Sequence, residues 1–415
     1  MIAKINQKIY NLLRYSEKWT HTDMVYLAKG GLWMTVGKLI NSATSFGLAI
    51  AYANLLTQET YGQYKYILSV AGLLGVTALT GMDTSLVRSI IKGFEGSLKK
   101  VIALRIKWGA IGMLGGFAVS AYYFFNDNNI LGFGILIAAI FSPLINAIVY
   151  NPLLEGKKLF KTLSKYSALN QIGVALMILC ALFISPNIIL LVFVYFFSNF
   201  IIQLALFTIT NKKHKPNDKI DPETISFGKH ISLMNILGLI ASQSDKILMW
   251  HFLGPIQLAI YSFATIPVTQ MQSLLRPVAV MAFPKISEQN IEITKKTLPL
   301  KLLKFNGLLL ILILIYILIS PFFFKLFFPE YIDSIRYSWL FSLSLLFFPI
   351  RFLSYPLVAQ AKKRDLYIIN VSGAALKIIF LAILLPFFGI WGAIYALLLS
   401  TLINDFILYY FFKKI

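Results

Sequence analysis

Long apolar runs separated by short polar stretches dominate the chain, and most of them reach the roughly 20 residues that a helix needs to cross a bilayer. Twelve are predicted as helices, at 28–55, 61–88, 104–125, 130–153, 168–185, 187–209, 231–253, 257–284, 302–324, 337–360, 366–386 and 390–411. Turns as short as Asn126–Asn129 and Ser185–Asn187 make tight hairpins of the pairs they join. The pattern predicts an all-α integral membrane protein.

Composition agrees. Hydrophobic residues make up 58% of the 415 positions and charged residues 13%, whereas a soluble domain is nearer half apolar and a quarter charged. The net charge of +21, from 38 Lys and Arg against 17 Asp and Glu, would suggest nucleic acid in a soluble protein. Here the basic residues alternate with the spans. With a cytoplasmic amino terminus, all but eight fall on inner segments, including Arg88, Lys92, Lys99, Lys100, Arg105 and Lys107 around the start of the third helix. The opposite loops hold only Lys325 and Arg336. The positive-inside rule accounts for this asymmetry with both termini cytoplasmic and no nucleic-acid partner.

The first twenty residues carry Lys4, Lys8, Arg14 and Lys18 without an unbroken apolar core, so they do not read as a cleavable leader. Ile5, Ile9, Leu12 and Leu13 share a helical face, which fits a basic helix lying on the inner membrane surface. The lone Cys180 excludes an internal disulfide.

The polar stretch near 211–230 divides six helices from six, and the halves repeat at an offset near 200 residues. Pro152-Leu-Leu-Glu-Gly-Lys157-Lys158 closes the fourth helix, and Pro356-Leu-Val-Ala-Gln-Ala-Lys362-Lys363 the tenth. Pro186 and Pro386 each end an outward-going helix; Tyr61-Gly-Gln-Tyr64 and Leu258-Ala-Ile-Tyr261 each open the next. Copies of six share one topology, so a parallel pseudo-repeat about the membrane normal is expected, with a site between lobes. The expected organisation is an interfacial segment 1–23, a lobe 24–210, a linker 211–230 and a second lobe 231–415.

Ionisable residues inside spans are costly and normally face a bundle interior or a watery cavity. Lys38, Arg276 and Arg351 lie nine, nine and eleven residues from Lys29, Lys285 and Lys362, which places all three about 13–17 Å from the inner helix ends. They define a candidate cationic cavity, with Lys377 and Gln272 as further substrate-binding candidates; Gln272 shares a face with Arg276. Arginine's planar fork suits phosphate. The same charges could instead serve as structural pairs. Asp245 and Asp83 are candidate ion-coupling residues, for a proton or sodium.

No catalytic or metal-ligating constellation stands out. Gly31-Leu-Trp-Met-Thr-Val-Gly37-Lys38-Leu39 has one residue too many for a P-loop and no Ser or Thr after the lysine. His21, His214, His230 and His251 are scattered, and no paired-cysteine pattern exists. Short outer loops disfavour a membrane glycosyltransferase or ligase, so the chain is not expected to be an enzyme or to need a cofactor.

Leu55-Leu-Thr-Gln-Glu-Thr-Tyr-Gly62-Gln-Tyr64, Ser244-Asp245-Lys246-Ile-Leu-Met-Trp-His-Phe-Leu-Gly254 and Tyr261-Ser-Phe-Ala264, with twelve spans and a basic interior, resemble Wzx-type lipid-linked oligosaccharide flippases. These form the polysaccharide transporter branch of the MATE-like superfamily. The resemblance implies two six-helix bundles, alternating access and secondary coupling. It also implies passage of an undecaprenyl-pyrophosphate-linked glycan, such as an O-antigen unit, across the bacterial inner membrane, with polysaccharide polymerase and chain-length machinery as possible partners. A MATE-like exporter of small molecules is the alternative, although cation export favours carboxylates in the cavity. The lipid II flippase branch carries two additional helices, which this sequence lacks.

Overall fold

A computed structural model of the chain describes residues 24–287, 290–360 and 362–415; the proposed interfacial segment 1–23 lies outside the described residues. Span 1 is Met24–Leu55. Span 2 runs from Gln58–Leu74 into Gly81–Ile91 through a 47° bend, and the Thr57 hydroxyl accepts from the Thr60 N–H at its start. Span 3 is Ser97–Phe125, and span 4 is Asn129–Ala147 extended by the short helix Asn151–Gly156. Spans 5 and 6 are Phe160–Ile184 and Ile188–His214.

The second half repeats this plan. Spans 7 and 8 form one continuous segment, Glu223–Ser287, broken at Gly254, whose φ of 81° reverses the chain where an L side chain would be strained. Span 9 is Ile291–Phe327. Span 10 comprises Ser334–Ser342, a 3-10 stretch through Leu343–Phe347 and Pro349–Leu353, and Ser354–Ala359. Spans 11 and 12 occupy Lys363–Lys414 on either side of Gly389, which has φ 57°. The reversal therefore sits at Gly389, and helix continues past Pro386, the residue expected to end it.

Eight of these helices are long and apolar enough to cross a membrane by length and hydropathy, nine with the bent pair. Two of them are double passes, and Met24–Leu55 completes twelve passes among the described residues. The chain is thus a multi-pass membrane protein of two six-helix bundles. Side chains such as Phe125, Phe183, Leu318 and Phe387 project outward, as a helix surrounded by hydrocarbon requires.

The repeat is visible in local structure. Pro152 and Pro356 lie in the matching short helices Asn151–Gly156 and Ser354–Ala359. Span 1 packs on span 5, where Asn41 donates to Ser167 at 2.9 Å and Gln171 to Ser45 at 3.0 Å. Span 7 packs on span 11 in the same relation, through Asp245 and Lys377.

Between the bundles only 215–222 lies outside helix, and it is strapped to the first bundle. The Gly96 N–H donates to Lys219 O at 2.9 Å, Asn217 N–H to Glu95 Oε2 at 3.0 Å, and Ser89 Oγ to Asp221 Oδ2 at 3.0 Å. Ion pairs Lys99–Asp218 (2.8 Å) and Arg88–Glu223 (3.1 Å) flank them.

Candidate functional site

The pseudo-symmetry relates two seams between the bundles, span 2 against span 7 and span 8 against span 1. The first is closed along its length. A Cβ on Gly62 would sit 2.0 Å from Pro255 O, and one on Gly81 2.4 Å from Ser232 N, so these backbones touch. Close approach of this kind is how small residues bind membrane helices together without a hydrophobic driving force. Gly81 N–H donates to Ser232 Oγ, and Ser85 Oγ to Thr224 O.

The second seam is different. Spans 1 and 8 meet at Ser42 and Ser273, whose hydroxyls are 3.1 Å apart. Beside this contact a cavity of about 430 Å³ opens between spans 1, 8 and 9, lined by Leu39, Phe46, Gln270, Leu274 and Tyr316 among others. Leu39 and Leu274 are about half exposed, so the groove faces the surroundings of the helices rather than an enclosed core.

The end of both seams farthest from the basic loops is sealed by aromatic rings. Phe263 of span 8 lies 4.6 Å from the Tyr61 ring of span 2 and 3.8 Å from the Tyr331 ring after span 9. Phe328 packs against Phe263 and against Phe46 of span 1. Tyr61, Phe263, Phe328 and Tyr331 are all buried. Asn54 donates to Phe327 O at 3.1 Å, and Gln58 donates to Glu330 O. Four spans thus meet in one plug, most of whose ring separations fall in the range of favourable aromatic packing.

The structure separates the residues singled out from sequence. Lys38 of span 1 and Arg276 of span 8 each lie one turn from the Ser42–Ser273 contact, so both flank the open seam; Arg276 is exposed. Two cations flanking one seam favour an anion. Gln272, one turn away, donates its amide to Ser344 Oγ of span 10 at 3.0 Å and so braces spans 8 and 10. Arg351 is exposed on the 3-10 stretch of span 10, and its charge reaches Asp405 of span 12. Lys377 sits 3.7 Å from Asp245 inside the second bundle, where Tyr261 donates to the same carboxylate at 2.8 Å.

Asp83 pairs with Arg105 at 3.0 Å. Arg105 was expected on a basic inner segment, yet its side chain is only 3% exposed, and it also donates to Leu79 O and Asn146 O. It is a structural cation holding the bend of span 2 against spans 3 and 4. Sequence position hid this, because Arg105 lies between the basic residues Lys100 and Lys107 but on the helix face turned inward. Lys65 lies over the Tyr61 ring at 5.2 Å. Among the described residues no group of His, Cys, Asp and Glu is arranged to hold a metal.

Two bundles joined by seams, one closed and one open, make a fold similar to that of solved MOP-superfamily structures. The solved structures most similar in shape include the lipid II flippase MurJ in an inward closed conformation, at TM-score 0.68 and 14% identity over 92% of this chain and 87% of that one. An outward-facing multidrug resistance MATE transporter follows at TM-score 0.62 and 13% identity, covering 93% and 95%. A MOP-superfamily transporter from Pyrococcus furiosus matches at TM-score 0.61 and 13% identity, with the same coverage. No curated protein matches the sequence. The family model described as polysaccharide biosynthesis protein matches residues 27–290, and the chain belongs to that family.

Proposed function

We propose that this chain flips a lipid-linked oligosaccharide, carried on undecaprenyl pyrophosphate, from the cytoplasmic to the outer leaflet of the bacterial inner membrane. The observation that carries this reading is the unequal pair of seams. A groove open sideways between spans 1, 8 and 9 lets an apolar chain remain in lipid, while Lys38 and Arg276 next to it receive the phosphates. A small soluble cargo would have no use for a lateral opening. Membership in a polysaccharide biosynthesis family supports the glycan, and an O-antigen or related surface repeat unit fits that description.

The basic loops face the cytoplasm on this reading, with both termini on that side, and the aromatic plug closes the outer end. The lobes 24–210 and 231–415 rock about the plug and the closed seam. Arg351 extends the anion site from the second lobe, and Asp245 is a candidate coupling residue for a proton or sodium gradient.

The test is transport of a polyprenyl-pyrophosphate glycan by purified protein in liposomes. A hydrogen bond to a charged group contributes about 1.5–3 kcal/mol, so Arg276→Ala and Arg351→Ala should each weaken cargo affinity on the order of 10–100-fold. Transport at the native rate by both variants, at limiting cargo, would overturn the anion site.

A further inference from the structure

Three helices carry the same spacing of wall residues where they meet beside the open seam. Leu39, Ser42, Ala43 and Phe46 of span 1 fall three and four residues apart, as do Pro267, Gln270, Met271 and Leu274 of span 8. Span 9 continues the spacing from Leu312 to Phe323. Residues so spaced form one stripe along a helix, so the cavity of about 430 Å³ between them is a trough running along the helices. Its walls extend about 10 Å on spans 1 and 8 and about 16 Å on span 9.

The two ends of the trough differ. Span 8 runs opposite to spans 1 and 9, so Leu39, Leu274 and Leu312 share the end nearest the basic loops. Lys38 is the residue before Leu39, and Arg276 comes two after Leu274. At the other end Phe46 stacks on Phe323, with ring centroids 5.6 Å apart. Behind them Phe327 and the plug's Phe328 pack on Phe46 at 5.7 and 5.9 Å. One end is flanked by cations and the other is a wall of rings.

The sides offer an occupant little to hydrogen-bond. Ser42 is paired with Ser273, Tyr316 with Ser338, and Ser320 accepts from the Trp339 indole at 2.6 Å. Among the lining residues Gln270 alone carries an amide. A sugar would leave its own polar groups unpaired here, which is costly; a hydrocarbon chain would not. Ile315 and Ile319 of span 9 are about half exposed, so the trough is open along its side, and a chain longer than the trough can pass from it into lipid.

We propose that the trough binds the phosphate-proximal end of a prenyl chain, about two or three units long, and that Phe46 and Phe323 set that length. A prenyl unit adds four chain carbons, about 5 Å when extended on ordinary bond lengths. With the pyrophosphate at Lys38 and Arg276, the first units lie in the trough and the ring pair turns the rest of the chain out into the bilayer. The double bond of each unit fixes one torsion, so this chain loses less freedom on being held than a saturated one. Recognition then falls on the lipid carrier next to its phosphates, whatever glycan it bears. This deepens the function proposed above and rests on the anion site at Lys38 and Arg276.

The experiment is binding of pyrophosphates bearing one to five prenyl units to the purified full-length protein in lipid nanodiscs, with each probe's partition into empty nanodiscs subtracted. For native protein, affinity should rise several-fold per unit up to the third and then level. Ala43 is an exposed lining residue, and Ala43→Phe should fill the middle of the trough, so that its longer probes bind no better than its one-unit probe. Phe46→Ala should move the plateau to longer chains. Dodecyl pyrophosphate, matched in chain length to three units, should bind native protein several-fold more weakly than the three-unit probe. A gain with length that survives in Ala43→Phe, or equal binding of the dodecyl probe, overturns the prenyl site and leaves the anion site standing. Binding of every probe unchanged by Arg276→Ala removes the anion site and this inference together.

Discussion

Lys377 on span 11 holds its ammonium 3.7 Å from Asp245 on span 7, and both side chains are largely withdrawn from the surface. The pair lies within one bundle and repeats the span 1–span 5 contact of the other. Removing one partner of a buried ion pair leaves an uncompensated charge and costs about 3–5 kcal/mol, whereas replacing both by apolar groups is often nearly neutral. Asp245→Leu and Lys377→Met should therefore each lower the thermal midpoint of the detergent-solubilised protein. The double variant should recover most of the loss. If ion-driven transport also returns in the double variant, Asp245 is not the coupling group.

Arg105 and Asp83 make a stronger case for structure. The guanidinium is almost fully buried and serves a carboxylate and two backbone carbonyls at once, a geometry that a lysine's single ammonium does not reproduce. Arg105→Ala should destabilise by about 3–5 kcal/mol, and Arg105→Lys should rescue it only in part. Thermal midpoints followed by size-exclusion chromatography would check both. A midpoint unchanged in Arg105→Ala would return this residue to the basic loops.

Much of the architecture was legible because bilayer thickness is a one-dimensional constraint. Twelve apolar runs became twelve passes, and the Pro152 and Pro356 segments fell in matching short helices. The candidate site was less legible, because side-chain partners depend on helix rotation and on contacts far apart in sequence. Depth along a helix grouped Lys38, Arg276 and Arg351, but it could not show that only the first two flank the Ser42–Ser273 seam. Nor could it show the plug, whose rings at Tyr61, Phe263 and the Phe328–Tyr331 turn come from three separate parts of the chain. The one local signal was the Tyr61-Gly62 and Tyr261 pattern opening spans 2 and 8.

The plug leads to a conformational prediction. Gly62 permits the backbone of span 2 to touch Pro255, and any Cβ there would collide with the carbonyl oxygen. Gly62→Val should wedge the outer end apart and bias the bundles toward opening on that side. With Cys180→Ser as background, cysteines at Gln58 and Glu330 should be joined by a short bifunctional thiol reagent, since the Gln58 amide already reaches Glu330 O. Adding Gly62→Val should reduce the yield several-fold. Equal yields would mean that the seam tolerates the side chain without opening.

The strap between the bundles is predicted to loosen in acid. Asp221 accepts from the Glu223 N–H and from Ser89 Oγ, with Lys92 and Arg88 nearby, and these hold its carboxyl below the usual carboxylate range. A depressed folded-state value stabilises the docked strap at pH above the unfolded value near 4, and that contribution disappears as pH falls through the folded value. Amide exchange at 215–224, corrected for intrinsic rate, should therefore accelerate below about pH 4 and hold steady from 5 to 8. Asp221→Asn should show the faster exchange at all pH values. A strap equally protected in that variant would place its anchorage in the Gly96 and Asn217 backbone contacts instead.

The open seam gives the sharpest separation between a lipid-linked cargo and a soluble one. Ser42 and Ser273 are already in hydroxyl contact at 3.1 Å, so cysteines at these positions in the Cys180→Ser background should form a disulfide on mild oxidation. That bond ties span 1 to span 8 and prevents the lateral groove from widening. A cargo whose polyprenyl chain stays in lipid must pass its phosphates sideways between these spans, so oxidation should abolish flipping and reductant should restore it. A soluble solute entering along the normal would bind Lys38 and Arg276 in either redox state. Undiminished lipid-glycan transport by fully oxidised protein would therefore exclude the span 1–span 8 seam as the route.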